Sequence, residues 1–238
     1  MQDMQKPEGG DIRLDEKSAF LRWLDNFWYH HKWHTFFGAF ILLLLLVMLM
    51  QCRNENGNDL VVTYCGPFGF LTAESEGARD ALNEAMPQDY DGNGEKYVEF
   101  VRYQVYSEEE MIADKEANDG EGTVNVSYNA HQLELFNDFM MTGECSIYLL
   151  SPYIYDYIQP RGNLKKLAEV MDAVPEHAYD EYAIRLSETA LYQNTPALQL
   201  LSPDTLVCLT VPYALGRSSN ESYYAQSVET FLAIVSAE

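Results

Sequence analysis

Trp33 to Cys52 reads WHTFFGAFILLLLLVMLMQC, twenty residues without Asp, Glu, Lys or Arg. At about 1.5 Å of rise per residue it reaches roughly 30 Å, the thickness of a bilayer's hydrocarbon. This run predicts a membrane-spanning helix and divides the chain into residues 1–32, 33–52 and 57–238. The long polar lead predicts an uncleaved signal anchor rather than a removed signal peptide. Leu49-Met50-Gln51 lacks the small residue that precedes a lipid-modified cysteine, so Cys52 is not read as a lipid anchor. Arg22 and Lys32 precede the run, with His30, His31 and His34 beside them, whereas Arg53 alone follows it closely. Bases concentrate on the cytoplasmic side of a span. The N-terminus is therefore expected inside the cell membrane and the C-terminal domain outside, with Trp28, Tyr29 and Trp33 as an interfacial aromatic belt. Leu14 to Tyr29 carries Leu14, Phe20, Leu21, Leu24, Phe27 and Trp28 at helical spacing. That pattern predicts an amphipathic helix on the inner membrane surface, with a docking helix as the alternative.

The charge of −22 lies almost wholly beyond the span. Residues 1–52 hold six acids and five bases; the remainder holds 31 acids against 10 bases, or −21. Such a domain repels nucleic acid and anionic lipid and favours cationic or neutral partners. High charge also keeps an exported domain soluble. The four cysteines form no CxxC and no zinc spacing, and Cys65, Cys145 and Cys208 sit in apolar runs. They read as small buried hydrophobes without an essential disulfide.

Beyond the span, DLVVTY (59–64), YVEFVRYQVY (97–106), SIYLL (146–150) and TLVCLTV (205–211) read as strands. Between them, Thr72–Met86, Glu108–Asn118 and a segment capped by Asn129 and running to Thr142 read as helices. Ser107 and Glu110 make a capping box, and Gly143 follows the third helix as its stop. Thr123–Tyr128 reads as a short strand or extended link, Ile154–Gln159 as a helical turn, Leu164–Met171 as a helix and Glu221–Val235 as the last helix. Alternating strands and helices, with uniformly apolar strands, predict an α/β domain with a mainly parallel sheet and flanking helices.

The stretch from Leu133 through MMTGECSIYLLSP, followed by YIYDYIQPRGNLKKL, resembles an element of bacterial extracellular solute-binding proteins. The strand and helix order up to SIYLL is similar to the first lobe of that fold. The juxtamembrane FWYHHKWHT looks like that of single-pass membrane proteins of Gram-positive bacteria. The resemblance implies one solute-binding-like lobe. Ser146 stands where those proteins usually carry an Asp. One lobe cannot close on a small solute, which directs the expectation to larger ligands.

Asp89-Tyr90-Asp91-Gly92-Asn93-Gly94-Glu95 opens like a calcium loop, whose hard oxygens come from alternate positions around a sharp glycine turn. Phe100 replaces the closing bidentate Glu, so the loop reads as a weak calcium site using Asp89, Asp91, Asn93 and the Glu95 carbonyl, or as a solvated turn. Tyr148, Tyr153 and Tyr155 offer area at low entropic cost and read as a candidate ligand-binding surface, with core packing as the alternative. No GxSxG, SxxK, HExxH, P-loop or GxGxxG occurs. The expected function is a non-enzymatic, membrane-anchored extracellular domain that binds a protein, peptide or cell-wall component. The alternative is a structural or assembly subunit of a membrane complex.

Overall fold

The computed structural model describes residues 19–53 and 57–236. Residues 1–56 and 57–238 form two compact units.

In the first unit one helix, α1 (Ala19–Arg53), runs unbroken for 35 residues. At 1.5 Å per residue that is roughly 52 Å, longer than a bilayer core. Its His31–Met48 stretch is apolar enough to cross a membrane, with a mean hydropathy of 1.5. The expected surface helix beginning at Leu14 lies partly outside the described residues. From Ala19 onward the helix continues into the apolar run without a break. The sequence between Tyr29 and Trp33 contains no Gly or Pro to make one.

The second unit is a three-layer α/β domain. Its elements are β1 (Leu60–Gly66), α2 (Thr72–Ala85), β2 (Val98–Gln104), α3 (Glu108–Ala117), α4 (Val126–Thr142), β3 (Ile147–Leu150), α5 (Pro152–Ile158), β4 (Ala183–Arg185), α6 (Ala190–Asn194), β5 (Leu206–Leu209) and α7 (Glu221–Ser236). The sheet order is β2-β1-β3-β5-β4. β2, β1 and β3 pair in parallel, but β5 runs antiparallel to both of its neighbours. The sheet is thus mixed rather than mainly parallel. A central strand is apolar on both faces whichever way it runs, so TLVCLTV carried no sign of its direction.

Alternate strand residues feed two cores. Leu60, Val62, Ile147 and Leu149 pack with Ala78 and Leu82 of α2 and Phe231 and Ile234 of α7. Val61, Cys65, Tyr148 and Leu150 pack with Phe136 and Met140 of α4 and Ile154 and Ile158 of α5. Burying both faces of the sheet is the main stabilising contribution, at about 25 cal/mol per Å² of apolar surface.

Several local expectations change. α4 starts at Val126, capped by Asn125, whose side chain accepts the Tyr128 N–H. Asn129 instead bonds the backbone of Tyr106 through both ends of its amide, tying α4 to the end of β2. Of the two readings of Thr123–Tyr128, residues 123–125 form a link with a bend at Val124 rather than a strand, and Val126–Tyr128 already belong to α4. Leu164–Met171 holds an isolated bridge at Leu164 and a short 3₁₀ turn at Leu167–Glu169 in place of a helix. Cys65, Cys145 and Cys208 are buried and free. The register Val62↔Ile147 and Cys65↔Leu150 sets Cys145 and Cys65 at opposite ends of paired strands. At about 3.3 Å per residue they lie far beyond disulfide reach.

Candidate functional site

The acidic loop and the tyrosines are the two sites read from sequence. In the loop, Asp89 accepts the N–H groups of Gly92 (2.8 Å) and Gly94 (2.6 Å). Those bonds, Gly94 first, hold its carboxyl below the usual carboxylate range. Asp91 accepts the Asn93 N–H at 2.9 Å, and Asn93 accepts the Glu95 N–H at 2.8 Å. The sequence reading missed the central group, Asp59. Buried at the foot of β1, it accepts N–H groups from Tyr90 (2.6 Å), Asp91 (2.9 Å) and Tyr97 (2.8 Å). Carboxylate oxygens of Asp59, Asp89 and Asp91 lie within 4.8 Å of one another. The backbone donors account for the closed shape of this loop without further ligands.

The tyrosines separate. Tyr148 is 0% exposed in a central strand and Tyr155 is 2% exposed under the sheet, whereas Tyr153 is 40% exposed on the outer side of α5. The Tyr155 hydroxyl donates to Asp180, and the Tyr148 hydroxyl to the Cys145 carbonyl. The three do not form one exposed recognition surface. β3 is covered on both faces, so any ring on it is core.

The structure points instead to the carboxyl ends of the parallel strands. α2, after β1, packs on one face of the sheet; α5, after β3, packs on the other. The chain thus leaves two adjacent strands in opposite directions, which opens a crevice at their ends. A cleft of about 450 Å³ lies there, with Tyr64, Phe68, Glu110, Ser151, Leu200 and Asp204 among its lining residues.

Each wall has a local cause. Tyr64 lies two residues before the end of β1, and its hydroxyl accepts the Phe68 N–H at 3.0 Å. Burial pushes that hydroxyl well above its usual range, so it stays neutral. Gly66 is required beneath it, since a Cβ there would meet the Tyr64 oxygen at 2.6 Å. Phe68, Phe70, Tyr64 and Phe100 pack edge to face, with centroids 4.8–5.4 Å apart. Gln104 donates to the Pro67 carbonyl at 3.1 Å and to the Tyr106 hydroxyl at 2.7 Å, which pins this aromatic loop. Glu110 is fixed by the capping box of α3, accepting the Ser107 N–H at 2.7 Å. Ser151 caps α5 and is tied to β1 through its N–H on the Cys65 carbonyl at 2.9 Å. Asp204 lies 3.7 Å from the Arg185 guanidinium at the end of β4. The capping box and the strand ends near Tyr64 and at Leu150 were visible in sequence; their meeting in one cleft was not.

The chain matches no protein-family model, no curated protein and no solved structure.

Proposed function

We propose that this chain is a non-enzymatic binding protein, anchored in a membrane by α1, whose outer domain seats a protein, peptide or cell-wall ligand in the cleft at the ends of β1 and β3. The observation that carries this reading is the cleft's position at the topological switch point of an α/β sheet, where such folds seat their ligands. The order β1–α2–β2–helices–β3 supports the lobe-like resemblance. The Ser151 hydroxyl is engaged as the cap of α5 and the Glu110 carboxylate closes the capping box of α3, so both of these lining groups have structural partners. The span, the flanking bases and the acidic domain support an outer location, with the N-terminus in the cytoplasm. The experiment is photocrosslinking in intact cells. Benzoylphenylalanine at Leu200, 44% exposed in the cleft, is expected to give a discrete adduct; at Met141, 65% exposed on α4, it is expected to give none. Equal adducts from both positions, or an adduct from Met141 alone, would reject the cleft.

Calcium at the acidic loop is a separate proposal that rests on the spacing of Asp89, Asp91 and Asn93, with Glu95 supplying a carbonyl. A weak site with a dissociation constant near 1 mM gains about 1.4 kcal/mol at about 10 mM calcium. The melting temperature of the full chain is then expected to rise by about 3–5 °C. The rise should exceed that given by equal magnesium and should vanish in Asp91→Ala. Equal rises with both ions, surviving Asp91→Ala, would leave the loop an ordinary turn.

A further inference from the structure

The chemistry of the cleft narrows the class of ligand. Its lining carries two carboxylates, Glu110 and Asp204, and no lysine, arginine or histidine. Outside the lining, Arg185 lies 3.7 Å from Asp204 and over the Tyr179 ring at 5.0 Å. α2 and α3 both begin at this end of the sheet and bring Glu74, Glu108 and Glu109 in their first turns. The helix dipole accounts for acids at those three positions and, together with the capping box, for Glu110. It does not account for Asp204, which precedes a strand, or for the aromatic wall at Phe68. Glu110 is half-buried and Asp204 exposed, and both share the lining with Phe68. Carboxylates beside an aromatic ring suit a cation on an apolar stem, since the ring face attracts positive charge and the stem buries against it. The charge of −21 beyond the span adds long-range attraction for the same partners.

Resting on the cleft reading above, we propose that the cleft binds a peptide segment bearing lysine or arginine, its cation set between Glu110 and Asp204 and its stem against Phe68.

The test uses the full chain in nanodiscs of neutral lipid and fluorescent N-acetyl tri-lysine amide as the probe, read by anisotropy. N-acetyl tri-serine amide is the neutral comparison. Glu110→Gln removes the carboxylate while a Gln still closes the capping box. Glu109→Gln removes the same charge one residue away, outside the lining. Tri-lysine is expected to bind, to weaken about tenfold with Glu110→Gln, and to change less than about twofold with Glu109→Gln. Equal weakening by both variants would show that overall charge holds the peptide and would overturn the proposal. A third variant, Leu200→Trp, fills the cleft without altering charge and separates the two readings. If Leu200→Trp abolishes binding of tri-serine as readily as of tri-lysine and Glu110→Gln changes neither, the cleft stands and the cationic class falls. If neither peptide responds to Leu200→Trp, the cleft and the cationic class fall together.

Discussion

Asp59→Ala is expected to lower the melting temperature of the C-terminal domain by roughly 6–12 °C. The side chain is buried, and its two oxygens accept three backbone N–H groups, from Tyr90, Asp91 and Tyr97. Removing it leaves those donors without their acceptor at the junction of the acidic loop and β2. A hydrogen bond to a charged group contributes about 1.5–3 kcal/mol, and water entering the site offsets part of the loss. A net cost of about 3 kcal/mol follows, with each kcal/mol worth about 2–4 °C in a domain of this size. Asp59→Asn provides the internal scale. Its single carbonyl oxygen retains the Tyr90 and Asp91 donors but presents an NH₂ to Tyr97, so it should lose about a third as much. Thermal denaturation of both variants decides the matter. An Asp59→Ala loss below about 1 kcal/mol, or an Asn variant as damaged as the Ala variant, would show that Asp59 does not organise this end of the sheet.

Gly216→Ala is expected to cost about 4 kcal/mol, backbone strain and a backbone clash together. Gly216 has φ +74° and ψ −170°, a region that only glycine occupies without strain. A Cβ there would lie 2.0 Å from the Thr142 carbonyl oxygen and 2.8 Å from the Gly143 carbonyl carbon. Both are backbone atoms at the end of α4 and cannot rotate aside. The facing Gly143 is similarly constrained, at φ +70° with the Leu215 carbonyl oxygen 2.4 Å from a Cβ position. Two glycines from separate segments thus let the turn before α7 press against the cap of α4, held by the Ser218 N–H on the Gly143 carbonyl at 2.8 Å. Gly92→Ala is the control. Gly92 has φ +74° as well, but nothing lies within 4 Å of its Cβ position. That change carries only the left-handed penalty of about 1 kcal/mol. Comparable losses at Gly92 and Gly216 would show that the close approach contributes nothing.

The elements set by local chemistry were legible in the sequence. The apolar run of α1, the Ser107–Glu110 capping box, the Gly143 stop and the last helix lie where their periodicity and caps put them. What failed was decided by partners distant in sequence. β4 is only Ala183-Ile184-Arg185, too short for any period to show, and exists because β5 offers it an edge. Asn129 is as good a cap by composition as Asn125, and the winner was set by the bond of Asn129 to Tyr106. Tyr148 looked available because it opens a run of tyrosines with Tyr153 and Tyr155 around the end of β3, but two helices close over that face of the strand. Asp59 precedes a strand, and nothing in its neighbours announces that residues 90 to 97 return to it. The cleft gathers side chains from residues 64–68, 110, 151–152 and 200–205. No contiguous motif could have revealed it, because the switch point is a property of strand order.

The most direct test of the account is thiol labelling at the cleft. Cys65, Cys145 and Cys208 are buried, and burial raises all three thiols, Cys145 to about 12, so they stay unreactive. With Cys52 replaced by Ser, a cysteine at Leu200 or at Met141 becomes the reactive thiol of the C-terminal domain. A membrane-impermeant maleimide is applied to intact cells and, separately, to the purified full chain in nanodiscs. The account predicts that Met141→Cys labels at the same rate in both settings, because the domain faces outward and α4 is free. It predicts that Leu200→Cys labels several-fold more slowly in cells, where the ligand occupies the cleft. No labelling of Met141→Cys in intact cells would contradict the outward domain, and equal rates for Leu200→Cys in both settings would contradict a ligand seated at the ends of β1 and β3.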